Sequence, residues 1–135
     1  MKKVLTVGVF DLLHFGHVEL FRKLKKNEDK LIVAVQDSNY VLKFKQDSKL
    51  IYSTEERCYL VKSIRYVDEV IVYRNVKDIV NEVDFDIFAL GVDQVHNGFK
   101  NVEEYCLKNG KEILRMPRTE GISSSKIKQI IKEMK

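Results

Sequence analysis

At 135 residues the chain has the length of one domain, long enough to bury a core without disulfide staples. Its 44% hydrophobic and 33% charged residues exclude a disordered class, and no apolar run approaches the ~20 residues of a membrane span. The net charge of +4 comes from interspersed signs, with no basic arm and no array of stacking aromatics. That balance argues against nucleic acid as the main partner and suits a polyanionic nucleotide equally well. The Met1-Lys-Lys-Val4 start carries no long apolar core before a cleavage site, so a cytoplasmic protein is expected. Cys58 and Cys106 fall on separate predicted helices and read as reduced core thiols, neither a disulfide nor a nucleophile.

Val4-Leu5-Thr6-Val7 is short and rich in β-branched residues, as a buried strand is, and Val18, Leu20, Phe21 and Leu24 follow at helical spacing. The intervening Gly8-Val-Phe-Asp-Leu-Leu-His-Phe-Gly-His17 is then a tight turn that delivers His14 and His17 to the start of a helix. In an open parallel sheet, ligands bind beyond the carboxyl ends of the strands, where a helix N-terminus turns unpaired N–H groups toward an anion. Leu31-Ile-Val-Ala-Val35 predicts a second strand, buried on both faces and hence parallel. Residues 36–52 include Asp37, Ser38, Asn39, Lys43, Lys45 and Lys49 with little periodicity, which predicts a long functional loop. An extended Lys43-Phe-Lys45 would turn both ammonium groups the same way, toward an anion such as an acceptor's phosphate. Ser53-Thr-Glu-Glu56 is a capping box, so a helix begins near Thr54 and sends Leu60, Val61 and Ile64 inward. Arg57 falls in its first turn, where a cation opposes the helix dipole, and is expected to serve the same phosphate.

Glu69-Val-Ile-Val-Tyr73 is the third predicted strand, 77–83 a short helix, and Asp86-Ile-Phe-Ala-Leu90 the fourth strand, ending in Gly91-Val-Asp-Gln94. A helix over 102–107 stops at Asn109-Gly110, a fifth strand spans 112–115, and Pro117 ends it. Arg118-Thr-Glu-Gly-Ile-Ser-Ser-Ser125 leads into a last helix over 126–134, with Ile127, Ile130 and Ile131 expected inward. Its three serines serve as N-caps, as phosphate ligands, or both. Strands alternating with helices predict a doubly wound, Rossmann-like α/β domain spanning 1–135, with a five-stranded parallel sheet. In the order 3-2-1-4-5, strands one and four flank the switch point and bring His14, His17 and Asp93 to one crevice. An i,i+3 histidine pair also suits zinc, but no third Cys or His lies near it in sequence, so no protein metal site is expected.

His14-Phe-Gly-His17 resembles the HxGH signature of the nucleotidyltransferase superfamily, and Arg118-Thr-Glu-Gly-Ile-Ser-Ser-Ser125 resembles the RTxGISTS signature of its cytidylyltransferases. Ser63-Ile-Arg-Tyr-Val-Asp-Glu-Val70 extends the likeness to the small bacterial glycerol-3-phosphate type, and it covers nearly the whole chain. The resemblance implies transfer of CMP from CTP to a small phosphorylated acceptor, with release of pyrophosphate and Mg²⁺ riding on the nucleotide. It puts His14, His17, Lys45 and Arg118 in catalysis, and Lys43, Lys45 and Arg57 at the acceptor. Around the nucleotide it puts Gly8, Val9, Phe10, Asp11 and Gly16 of the first turn and Gly91 and Asp93 of the fourth-strand turn. From the second signature it adds Thr119, Gly121, Ile122, Ser123 and Ser124. Asp11 also suits an Asx bond within its own turn. Relatives of this kind are commonly homodimers. Two departures stand out: Val9 replaces a usual Thr or Ser, and Gly91-Val-Asp-Gln94 replaces Gly-Asp-Asp-Trp. The rival readings are an adenylyltransferase of the flavin or ADP-sugar type and a nucleotide-sensing domain without catalysis.

Overall fold

The computed structural model describes residues 1–26, 28–44, 49–91, 94, 97–117 and 123–134. Its strands are β1 (Lys3–Gly8), β2 (Lys30–Gln36), β3 (Glu69–Tyr73), β4 (Ile87–Gly91) and β5 (Glu112–Met116). They alternate with α1 (Phe15–Leu24), α2 (Ser38–Phe44), α3 (Thr54–Lys62), α4 (Val76–Glu82), α5 (Asn97–Lys108) and α6 (Ser124–Glu133). The sheet is five-stranded in the order β3-β2-β1-β4-β5, with every pairing parallel, as the strand–helix alternation predicts.

Strand alternation splits the core in two. Leu5, Val7, Ile32, Ala34, Phe88 and Leu90 face the side closed by α4 and α5, where Phe85, Val102 and Cys106 are buried. Val4, Leu31, Val33, Val35 and Ala89 face the other side, closed by Phe21 and Leu24 of α1 and Val61 of α3. Continuous apolar runs in β1 and β2 are thus buried on both faces, the reason those strands are central. Ser53 and Glu56 form the expected capping box on α3, and Gly110, with φ of +65°, takes the left-handed conformation after α5. Both cysteines are free thiols.

Two expectations are corrected here. Within the stretch read as a long loop, residues 38–44 form α2, because Asp37 accepts from the Asn39 N–H through its carboxylate and from the Tyr40 and Val41 N–H groups through its carbonyl. Lys43 therefore lies in a helix, and the argument from extended alternation does not hold for it. The last helix also buries nothing: Ile130 and Ile131 are 49% and 57% exposed, because α6 is attached through polar side chains instead of its apolar stripe.

Candidate active site

Where the carboxyl ends of β1 and β4 diverge, a cleft of about 350 Å³ opens. The turn after β1 makes one wall. Phe10 and Leu12 both have positive φ (55° and 50°), which reverses the chain tightly enough to drop the Phe10 ring back over Gly8. A Cβ on Gly8 would lie 2.8 Å from that ring, so only glycine fits. The ring in turn packs edge-on against His17, with centroids 5.2 Å apart, and against Phe21.

His14 is the N-cap of α1, and its Nδ1 accepts from the Gly16 N–H at 3.0 Å. His17, three residues on, accepts the His14 N–H with its own Nδ1 at 3.2 Å. The two imidazoles thus form a reciprocal capping box, a geometry usually made by Ser and Glu. Their rings stack with centroids 3.9 Å apart. Because each Nδ1 is an acceptor, the proton of each neutral ring sits on Nε2, the nitrogen left for a ligand. Burial lowers the pKa of His14; burial and then the neighbouring His14 push His17 down to about 3. Both histidines are therefore uncharged Nε2–H donors at neutral pH. The first turn of α1 carries no acidic residue to offset its N-terminal field.

The opposite wall is Met116, Pro117 and the start of α6 at Ser123, Ser124 and Ser125. Ser123 caps α6 by accepting from the Lys126 N–H, while the Ser124 hydroxyl donates to the Asp11 carbonyl. Gly8, Val9, Phe10, Gly16 and Gly91 all border the cleft, as expected. Asp93, Arg118, Thr119, Gly121, Ile122 and Lys45 lie outside the described residues.

Two expected ligands are employed otherwise. Asp11 does not line the cleft: it is 4% exposed and accepts from the Ile51 and Tyr52 N–H groups and from Lys128. Burial works against its ionisation, but the Lys128 ammonium and the two N–H groups together hold its carboxyl below the ordinary range. A saturated carboxylate is no ligand for a polyanion, nor does it bond its own turn. Arg57 is fully buried, and its guanidinium donates to the carbonyls of Val9, Gln36 and Tyr52 and to the hydroxyls of Ser38 and Thr54. All five N–H groups are spent, leaving none for an acceptor phosphate. Arg57 instead ties α3 to the ends of β1 and β2.

Two cleft residues escaped the sequence reading. Lys23 is the one charged side chain among the described lining residues, and none of its hydrogen bonds or ion pairs is recorded among the described residues. It follows His17 and Leu20 at three-residue steps, so the helical face itself was the available signal. Gln94 lies at the switch point, its Oε1 accepting from the Gly91 N–H and its Nε2 donating to the Val7 carbonyl.

The Cytidylyltransferase-like family model matches residues 5–130. A glycerol-3-phosphate cytidylyltransferase of Bacillus subtilis is 39% identical, covering 97% of this chain and 98% of its own. An FAD synthase of Thermococcus kodakarensis is 35% identical, covering 97% of this chain and 92% of its own. Among solved structures, the lipopolysaccharide core biosynthesis protein of Thermoplasma volcanium superposes with a TM-score of 0.70 at 27% identity, over 88% of this chain and 97% of that one. The chain belongs to the cytidylyltransferase-like family. It is accordingly an enzyme of the nucleotidyltransferase class. Among the described residues, no helix is long and apolar enough to cross a membrane.

Proposed function

We propose that the chain moves CMP from CTP to a small phosphorylated acceptor, releasing pyrophosphate and forming a CDP-linked product. The observation that carries this reading is the interlocked pair of neutral imidazoles at the switch-point cleft, in a chain whose relatives include a glycerol-3-phosphate cytidylyltransferase. An acceptor phosphate oxygen attacks the α-phosphorus in line. The new P–O bond forms as the bond to the α,β-bridging oxygen breaks, and pyrophosphate leaves with that electron pair. Such a displacement needs positioning and charge neutralisation, with no protein nucleophile. His14 and His17 hold the triphosphate and donate Nε2–H bonds that strengthen as charge moves to the leaving group. The N-termini of α1 and α6 and the Lys23 ammonium add positive potential, and Arg118 and Thr119 do so by resemblance. The described cleft lining has no carboxylate, which fits a Mg²⁺ held by the nucleotide's own phosphates, where it would supply further charge neutralisation.

Lys43 and Lys45 are proposed to meet the acceptor's phosphate, with Arg57 shaping that side from within. The chain contains no Trp, the best wall for a quaternary ammonium cage, so phosphocholine is disfavoured. Glycerol phosphate, ethanolamine phosphate or a phosphorylated amino acid or amide fits better, feeding a surface polymer or lipid head group in the cytoplasm. A homodimer is proposed to form around residues 65–69, near the exposed edge strand β3, where Val72 is half-exposed. An adenylyltransferase of flavin type is the second reading, favoured by the FAD synthase relative, and the Arg118–Ser125 signature speaks for CTP over it.

The test is pyrophosphate release with each nucleoside triphosphate, Mg²⁺ and a panel of phosphorylated acceptors. CTP should be the best donor, and His14→Ala or His17→Ala should lower kcat by about 10². Equal or better turnover with ATP would overturn the CTP assignment. Near-wild-type kcat in folded His17→Ala would remove that residue from the mechanism.

A further inference from the structure

Helix α6 carries the serines that line the cleft, yet none of its residues is buried. What holds it is concentrated on one buried group. Ser124 donates to the Asp11 carbonyl. One turn later, the Lys128 ammonium reaches Asp11 Oδ2 at 2.7 Å and the Lys49 carbonyl at 3.0 Å. Residues four apart share a helix face, so both anchors point at the same turn. The Asp11 carboxylate is 4% exposed and also takes the Ile51 N–H at 2.9 Å and the Tyr52 N–H at 3.0 Å. Three segments that are distant in sequence therefore meet on a single carboxylate: the strained turn after β1, the approach to α3, and α6.

We infer that Lys128 is a positioning residue for the nucleotide side of the cleft, acting through Asp11 to set where α6 presents Ser123, Ser124 and its N-terminal N–H groups. Lys128 does not line the cleft, so its influence on a bound nucleotide travels through the helix. A helix with no buried side chain opens at little cost once its anchors are cut, since apolar burial offers no resistance. Removing the ammonium also leaves the Asp11 carboxylate buried without its cation, a loss that the two N–H donors only partly offset. The approach to α3 then loosens along with α6, because both are fastened to the same oxygens. The role assigned to the nucleotide rests on the CTP-dependent reading above; the clasp itself does not.

Amide hydrogen exchange on the intact chain, read by mass spectrometry for wild type, Lys128→Met and Lys128→Arg, tests the clasp without turnover. In Lys128→Met, amides of α6 and of residues 51–52 should exchange about tenfold faster or more, with β1, β2 and β4 unchanged. Lys128→Arg, which keeps the charge, should stay close to wild type. Kinetics should show the KM for CTP raised about tenfold in Lys128→Met, with kcat within about threefold of wild type. Unchanged exchange in α6 would overturn the inference, as would a loosened α6 with an unchanged KM for CTP. A wild-type chain that turns over no nucleoside triphosphate would refute the functional reading, and the exchange result would still decide the clasp.

Discussion

The low pKa of His17 makes a prediction about stability that needs no substrate. Burial and the adjacent His14 bring this imidazole from an ordinary 6.5 to about 3 in the folded chain. Between those values the unfolded chain binds the extra proton, so stability rises with pH across the window and is lost as pH falls from about 6.5 toward 3. At pH 5 the unfolded chain gains from protonation about RT ln(1 + 10^1.5), or about 2 kcal/mol, which the folded chain does not recover. The comparison is wild type against His17→Asn, which keeps an acceptor for the His14 N–H and does not titrate. Urea unfolding at pH 7 and pH 5 should show the wild type losing about 2 kcal/mol more than the variant over that interval. The carboxylates, and His14 to first order, titrate alike in both proteins and cancel in the difference. Equal losses would mean that His17 carries a proton in the folded state, and the assignment of a neutral Nε2–H donor would fail.

Gly8→Ala places a methyl 2.8 Å from the buried Phe10 ring, and the displaced ring would push on His17. We expect a loss of about 1–3 kcal/mol in urea unfolding together with a drop in kcat; an unaffected kcat would show that Phe10 does not support His17. Arg57→Lys keeps the charge but can remake at most three of five hydrogen bonds, so unfolding should become easier by about 3 kcal/mol. A stable variant with only a raised acceptor KM would return Arg57 to the acceptor site. Lys23→Ala should raise the KM for CTP about five- to tenfold at low salt, with the gap closing near 1 M salt as the ammonium is screened; equal values at low salt would take Lys23 out of nucleotide binding.

The strands were legible because their signal is local: Leu31-Ile-Val-Ala-Val35 is apolar without interruption and is buried on both faces. The order of strands followed from helices that alternate with them, and the cleft followed from the order. Helix α2 was missed because Ser38-Asn-Tyr-Val-Leu-Lys-Phe44 makes only two turns and its start depends on Asp37, a residue as common in loops. The inward placement of Ile130 and Ile131 failed for another reason. Periodicity identifies the apolar face of a helix and says nothing of what covers it. Arg57 was misread because its partners are mostly carbonyls, from residues as far away as Val9, and a sequence does not show where a carbonyl will point. The histidines fell between these cases: their spacing was plain, and it is the N-cap to N3 spacing of a capping box, but that imidazoles fill both roles emerges only from the structure.

Gln94 gives the switch point a property of its own. The β1–β4 ladder runs from Val4 and Ile87 to Thr6 and Ala89, after which the strands part. Beyond that point a primary amide spans them, receiving the Gly91 N–H at 2.8 Å and giving its own N–H to the Val7 carbonyl at 3.2 Å. A side-chain amide carries the same donor and acceptor as a peptide group, so Gln94 acts as a movable rung added to a ladder whose rails have begun to spread. A backbone rung would fix the spacing of the rails, whereas this one is carried on rotatable side-chain bonds. The mouth of the cleft can therefore widen or narrow around a nucleoside without breaking a strand pair, and the width it adopts is governed by the reach of one glutamine.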